Sequence, residues 1–137
     1  MKGTSAIAAL LLVALIFFVS FESSFTVKAV GSGVLTIAFD DGNQDQYDYA
    51  YPLLQQYGIH ATFYVITSDI SDFSGNNAYM SIAELQTLQN NGNEIGSHSV
   101  DHPDFTSLTD AQIVSECVNS KQTLQSYGLS AINFAYP

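Results

Sequence analysis

A chain of 137 residues has room for one domain, less whatever the N-terminus gives up to targeting. At 47% apolar and 12% aromatic it can fill a packed core, which excludes a disordered chain. Its 13 acidic and 3 basic residues, for a net charge of −10, exclude a nucleic-acid partner, because phosphate binding needs basic surface to displace counterions.

The first element in the chain is an address. Lys2 precedes an uncharged apolar run from Ala6 to Val19, shorter than the roughly 20 residues a membrane span requires. Val27 and Ala29 offer modest or small side chains at the two positions a signal peptidase inspects. We therefore expect residues 1–29 to be a cleaved secretory signal, with an uncleaved membrane anchor as the alternative. The working domain is expected to span residues 30–137 outside the cytoplasm, secreted or at the cell surface, and to meet a membrane only if the anchor is kept.

Val34–Phe39 is a largely apolar, β-prone run without strict polar alternation, the pattern of a strand buried on both faces. It ends on Asp40, Asp41 and Gly42. Gln46–Tyr57 carries Tyr47, Ala50, Leu53, Leu54 and Tyr57 close to helical spacing. Pro52 inside it predicts a kink or a late helix start, and Gly58 fits a C-cap. Ala61–Ile66 reads as a second strand, and the polar stretch Asp69–Ala78 as a loop. Ser81 and Glu84 fit a capping box for a helix ending near Asn90. Glu94–Ser97 reads as a third strand, the Ser107–Asp110 region as the N-cap of a helix running to Gly128, and Ile132–Tyr136 as a fourth strand. Strands alternating with helices predict an α/β fold of parallel β/α repeats with right-handed crossovers. The final strand has no helix after it, as expected for part of a larger domain.

Cys117 is the only cysteine, so an intramolecular disulfide and a cysteine zinc cluster are both excluded, and a buried structural thiol is expected. The three histidines are His60, His98 and His102. His98 and His102 stand four apart after the third strand, a spacing that puts two imidazoles on one side of a helical turn. Taken alone, such a pair is more often two surface histidines in a polar loop. A calcium loop over Asp41, Asn43 and Asp45 fails, because Gln46 and Pro52 occupy the positions that need glycine and a carboxylate. In a parallel sheet, however, the ends of strands one and three share a rim. Two neutral imidazoles and one carboxylate would leave a divalent ion with open positions, the catalytic arrangement for zinc. The second acid could then take a proton from the attacking water.

Ile37-Ala38-Phe39-Asp40-Asp41-Gly42 resembles the first motif of the polysaccharide deacetylases, the NodB-homology domain of carbohydrate esterase family 4. The stretch from Gly92 to Pro103, with His98-Ser99-Val100-Asp101-His102-Pro103 at its end, is similar to the second motif. Gly58–Phe63 also resembles the family's second strand. The resemblance implies an irregular TIM-like (β/α) barrel, typically of about seven strands, of which this chain would hold about the first four. It implies Asp40 as catalytic base and Asp41, His98 and His102 as ligands of a divalent metal, commonly zinc. It also implies hydrolysis of N- or O-linked acetyl groups on an acetylated polysaccharide. The third motif corresponds to Phe134-Ala135-Tyr136-Pro137, which puts Tyr136 and Pro137 at the substrate wall. Ala135 stands where the family has an arginine that orients the base. His60 begins the second strand, at the far end from the metal rim, and is not expected to act as the acid.

Two other functions fit the same residues. One is a weak or inactive carbohydrate-binding remnant of the fold, in which Tyr47, Tyr49 and Tyr51 could stack on sugars, although packing of their helix is the commoner role for such tyrosines. The other is a metal-dependent amidase acting on a non-sugar amide, since fold does not decide substrate. N-terminal sequencing of the mature protein should read from near Val30; a start at Met1 contradicts cleavage.

Overall fold

A computed structural model of the protein describes residues 33–137; the expected secretory signal lies outside the described residues. Strand β1 (Ala38–Phe39), β2 (Thr62–Val65) and β3 (Glu94–Ser97) form a parallel sheet in the order β1-β2-β3. The register pairs Phe39 with Phe63 and Phe63 with Ile95, which lines up an apolar row across the sheet. Phe39 and Phe63 stack at 5.0 Å between ring centroids, within the range where such pairs add to simple burial.

Between β1 and β2 the chain makes a π-helical turn (Gln46–Ala50) and then helix α1 (Tyr51–Tyr57). Pro52 sits in the first turn of α1, where its missing N–H costs nothing. Its position therefore marks the late helix start, and Gly58 ends the helix in the left-handed conformation at φ 63°. The stretch after β2 holds a single helical turn, α2 (Ser71–Ser74), inside what the sequence reads as loop.

Helix α3 (Ile82–Asn90) opens on the expected capping box, in which Ser81 and Glu84 satisfy each other's backbone N–H groups. Burial alone would raise the Glu84 carboxyl, but hydrogen bonds from Ser81 and Gln44 outweigh it and leave the group below its usual range. Helix α4 (Asp110–Ser126) opens on a second box formed by Thr109 and Gln112. Leu85 and Leu88 of α3, Leu124 of α4, and Phe63 and Ile95 of the sheet are completely buried and form one core with Ile70, Met80 and Leu129. Cys117 lies on α4, half-buried rather than buried as expected, and its thiol is pushed up by burial and by the neighbouring Glu116, away from the reactive thiolate form.

Two expectations need correction. The Val34–Phe39 run is not a strand buried on both faces: only Ala38–Phe39 pairs, and Ala38 is exposed. The reason is position. β1 lies at the sheet edge, so Ile37 and Phe39 pack on the core while Leu35 stays 84% exposed. Ile132–Tyr136 is not a regular strand either, because its ladder with β3 reduces to one bridge, Ser97 to Phe134. The segment still runs parallel to β3, with Ser97 N–H donating to Asn133 O and Ala135 N–H to Ser97 O, both at 2.9 Å. As helix packing predicts, Tyr51 is buried and Tyr47 stacks on it at 5.3 Å, which leaves Tyr49 as the one exposed ring of the three.

The approach of this last segment to β3 depends on Gly96. A Cβ there would fall 2.6 Å from the Tyr64 ring and 3.2 Å from the Asn133 carbonyl oxygen. Gly96→Ala should therefore cost about 1–3 kcal/mol, the usual penalty of overpacking. Chemical denaturation checks this, and a penalty near zero contradicts the packing.

Candidate metal and active site

The C-terminal ends of β1 and β3 reach the same rim because both run parallel to β2. Asp40 and Asp41 follow β1 directly. Asp41 adopts φ 72° and Gly42 φ 77°, a left-handed pair that glycine tolerates and aspartate accepts at a cost. The turn is tied down on two sides: Met80 N–H donates to Gly42 O at 3.0 Å, and Gln46 Nε2 donates to Asp40 O at 2.6 Å. A Cβ at Gly42 would meet Val65 Cγ1 at 3.2 Å, so the turn lies close against β2. The result is an exposed Asp40 and a half-buried Asp41.

His98 continues β3, its N–H donating to Val65 O at 2.9 Å. After it the backbone turns sharply, with Ser99 at φ 72° and His102 at φ 55°. The buried Ser99 hydroxyl accepts from His102 N–H at 2.9 Å and so closes the turn. Ser99 O and Val100 O accept from Thr67 and Ser68 N–H, which fastens the loop to the end of β2. Left-handed residues outside glycine cost of order 1–3 kcal/mol each and gather where function requires a particular geometry. Asp41, Ser99 and His102 are three such residues, and they converge on one point.

Asp41 Oδ1 stands 3.6 Å from His98 Nε2 and 3.9 Å from His102 Nε2, and the two Nε2 atoms are 3.1 Å apart. Donors about 2.0–2.1 Å from a common ion at tetrahedral angles lie about 3.3–3.4 Å from one another, and the three separations bracket that value. One tautomer is fixed by its partner: His98 Nδ1 lies 3.0 Å from Ala135 O, and a carbonyl only accepts. Nδ1 therefore carries the proton and Nε2 presents its lone pair, the orientation that ligating histidines gain from an outer carbonyl. The donor set thus fits a small divalent cation, as one carboxylate and two imidazoles able to hold a metal ion.

The structure brings together three of the expected residues, Asp41, His98 and His102, with Asp40 on the adjoining turn. Tyr136 is 76% exposed, its ring edge-on to Phe134 and Phe105; it follows the carbonyl that orients His98. His60 is exposed at the opposite end of β2, its ring against Gly92. Two contributors were not assigned from sequence. Ser99 lies inside the histidine motif, so its hydroxyl was findable. The Ala135 carbonyl was not, because a backbone acceptor leaves no mark in the residue type. Nearby, the carboxylate of Asp69, then burial, then Asp41 hold the Tyr79 phenol above its ordinary range.

The sequence pattern of the polysaccharide deacetylase family matches residues 28–137. The chain belongs to this family. Among solved structures of polysaccharide deacetylase relatives, the chain is similar to the Streptococcus pyogenes deacetylase PplD in complex with acetate. The two share 29% identity and a TM-score of 0.72 over 79% of this chain and 47% of that one. It is also similar to the Xyl-CE4 domain of a multidomain xylanase from the hindgut metagenome of Trinervitermes trinervoides, at 25% identity and a TM-score of 0.62 over 74% and 47% of the two chains. In sequence it is 36% identical to YxkH of Bacillus subtilis over 86 residues, 63% of this chain and 29% of that protein. The chain therefore spans less than half the length of these relatives. The two solved structures share this α/β architecture, so the parallel sheet described above is the family's fold over the part that this chain covers.

Proposed function

We propose that this protein is a metal-dependent hydrolase that removes N- or O-linked acetyl groups from a polysaccharide. The observation that carries the reading is the convergence of Asp41 Oδ1, His98 Nε2 and His102 Nε2 at the rim where Asp40 also emerges. Family membership supports the substrate class.

In this reading Asp41, His98 and His102 hold a divalent cation, zinc by virtue of its affinity for two imidazoles and a carboxylate. When bound, that ion polarises the acetyl carbonyl and lowers the pKa of the attacking water. Asp40, exposed on the same turn, takes the water's proton as a general base. Asp41 is held facing the histidines by its left-handed backbone, which divides two adjacent acids into different roles. The carbonyl of Ala135 keeps the His98 lone pair directed at the cation. Tyr136 and Pro137, beyond that carbonyl, form part of the wall against which the glycan lies. The protein is secreted or held at the cell surface, a reading supported by the apolar run after Lys2.

A second reading, a carbohydrate-binding relative without turnover, is favoured by one observation. Ala135 has a methyl group where the family's arginine orients the base, so Asp40 is not held from that side. Acetate release from an acetylated oligosaccharide separates the two readings. The catalytic reading expects Asp40→Asn to lower the rate roughly 10²–10⁴-fold, the usual worth of a positioned general base, and His98→Ala or a chelator to abolish it. Acetate release that survives either substitution unchanged rules out the proposed site. Glycan binding with stoichiometric metal and no turnover in the wild type selects the second reading.

A further inference from the structure

Helix α4 grips the loop that carries both histidines, and it does so through one acidic side chain. The half-buried Glu116 directs Oε2 at the backbone of that loop, accepting from Val100 N–H at 2.8 Å and from Asp101 N–H at 3.4 Å. Val100 and Asp101 lie between His98 and His102. One helical turn further along, on the same face of α4, the buried Ser120 hydroxyl meets Ser97 Oγ at 2.6 Å. Ser97 Oγ in turn accepts from Ser99 N–H at 3.3 Å. The loop is thus held from the helix at its start and at its middle.

That second grip matters because of the backbone it restrains. Ser99 and His102 are both left-handed, and the segment between them has turned its amides away from the sheet. Two N–H groups at such a bend need an acceptor. A carboxylate suits the task, because bonds to an ionised acceptor are shorter and stronger than those to a neutral one. His102 itself is exposed, and its ring meets only His98 among the described aromatic rings, edge-on at 4.6 Å between centroids, so where Nε2 points is set largely by the backbone that carries it. Its aim depends on the loop.

We propose that Glu116 is a positioning residue that holds the His98–His102 loop in its cation-binding geometry, so that loss of its acceptor oxygen weakens metal binding without removing a ligand. The inference rests on the metal centre described under the proposed function. Outer partners of metal ligands, when removed, cost about 10–100-fold in affinity, and Glu116 belongs in that range.

Zinc affinity of the whole protein, measured by competition with a chromogenic chelator, tests this. Glu116→Ala should weaken binding about 10–100-fold. Glu116→Gln, whose amide oxygen still accepts from Val100, should recover most of that loss. Thr109→Ala removes the N-cap of the same helix without touching the loop, and should bind zinc as the wild type does. Equal affinity in Glu116→Ala and wild type overturns the inference, as does an equal loss in Thr109→Ala, which would reduce the effect to general weakening of α4. If Glu116→Ala does not fold, Glu116→Asp decides: its shorter carboxylate keeps the charge but loses the reach, and wild-type affinity there overturns the inference. A wild-type protein that takes up no zinc overturns the metal centre and this inference together.

Discussion

The pairing of β2 with β1 on one side and β3 on the other sets the distance between the Asp41 turn and the His98 loop. Neither strand end could form the Asp41–His98–His102 cluster alone. Asp41 hangs from a two-residue edge strand, and the histidines sit on a loop with strained backbone. Both take their positions from β2: Thr62 N–H bonds back to Ile37 O, and His98 N–H to Val65 O. Phe63, completely buried and stacked on Phe39, anchors that central strand in the core. The cluster therefore takes its geometry from a strand that contributes none of its three side chains.

Strain at the rim is the counterpart of that geometry. The left-handed Asp41, Ser99 and His102 each resist the conformation they occupy, and a set of local hydrogen bonds holds them there. Gly42 O, Asp40 O and the Ser99 hydroxyl all accept bonds that close these turns. The carbonyl of Ala135 completes the arrangement from the far side of β3, which gives the segment after Leu129 a part in the site despite its single bridge.

Much of this was legible in the sequence where local chemistry decides the outcome. The capping box at Ser81, the N-cap within Ser107–Asp110, the C-cap at Gly58 and the third strand at Glu94–Ser97 fall where their residues place them. Tyr47 and Tyr51 pack as helix residues, as their spacing suggests, and only Tyr49 stays open. The partnership of Asp41 with His98 and His102 was legible because parallel β/α order alone brings their strand ends to one rim. What escaped depends on neighbours rather than residue type. The Val34–Phe39 run looks fully buried, yet its burial depends on which strands flank it, and it lies at an edge. Ala135 reads as the loss of an arginine, whereas in three dimensions its backbone orients His98.

The central claim is that one ion bridges the ends of β1 and β3 through three specified atoms. A crystal structure of the protein with zinc, the ion located by its anomalous scattering, tests this most directly. The account predicts a single strong peak about 2.0–2.1 Å from Asp41 Oδ1, His98 Nε2 and His102 Nε2, with the Asp40 carboxylate outside bonding distance. A peak bound through His98 Nδ1, a peak that takes Asp40 as a ligand in place of Asp41, or no peak between the two strand ends would contradict it.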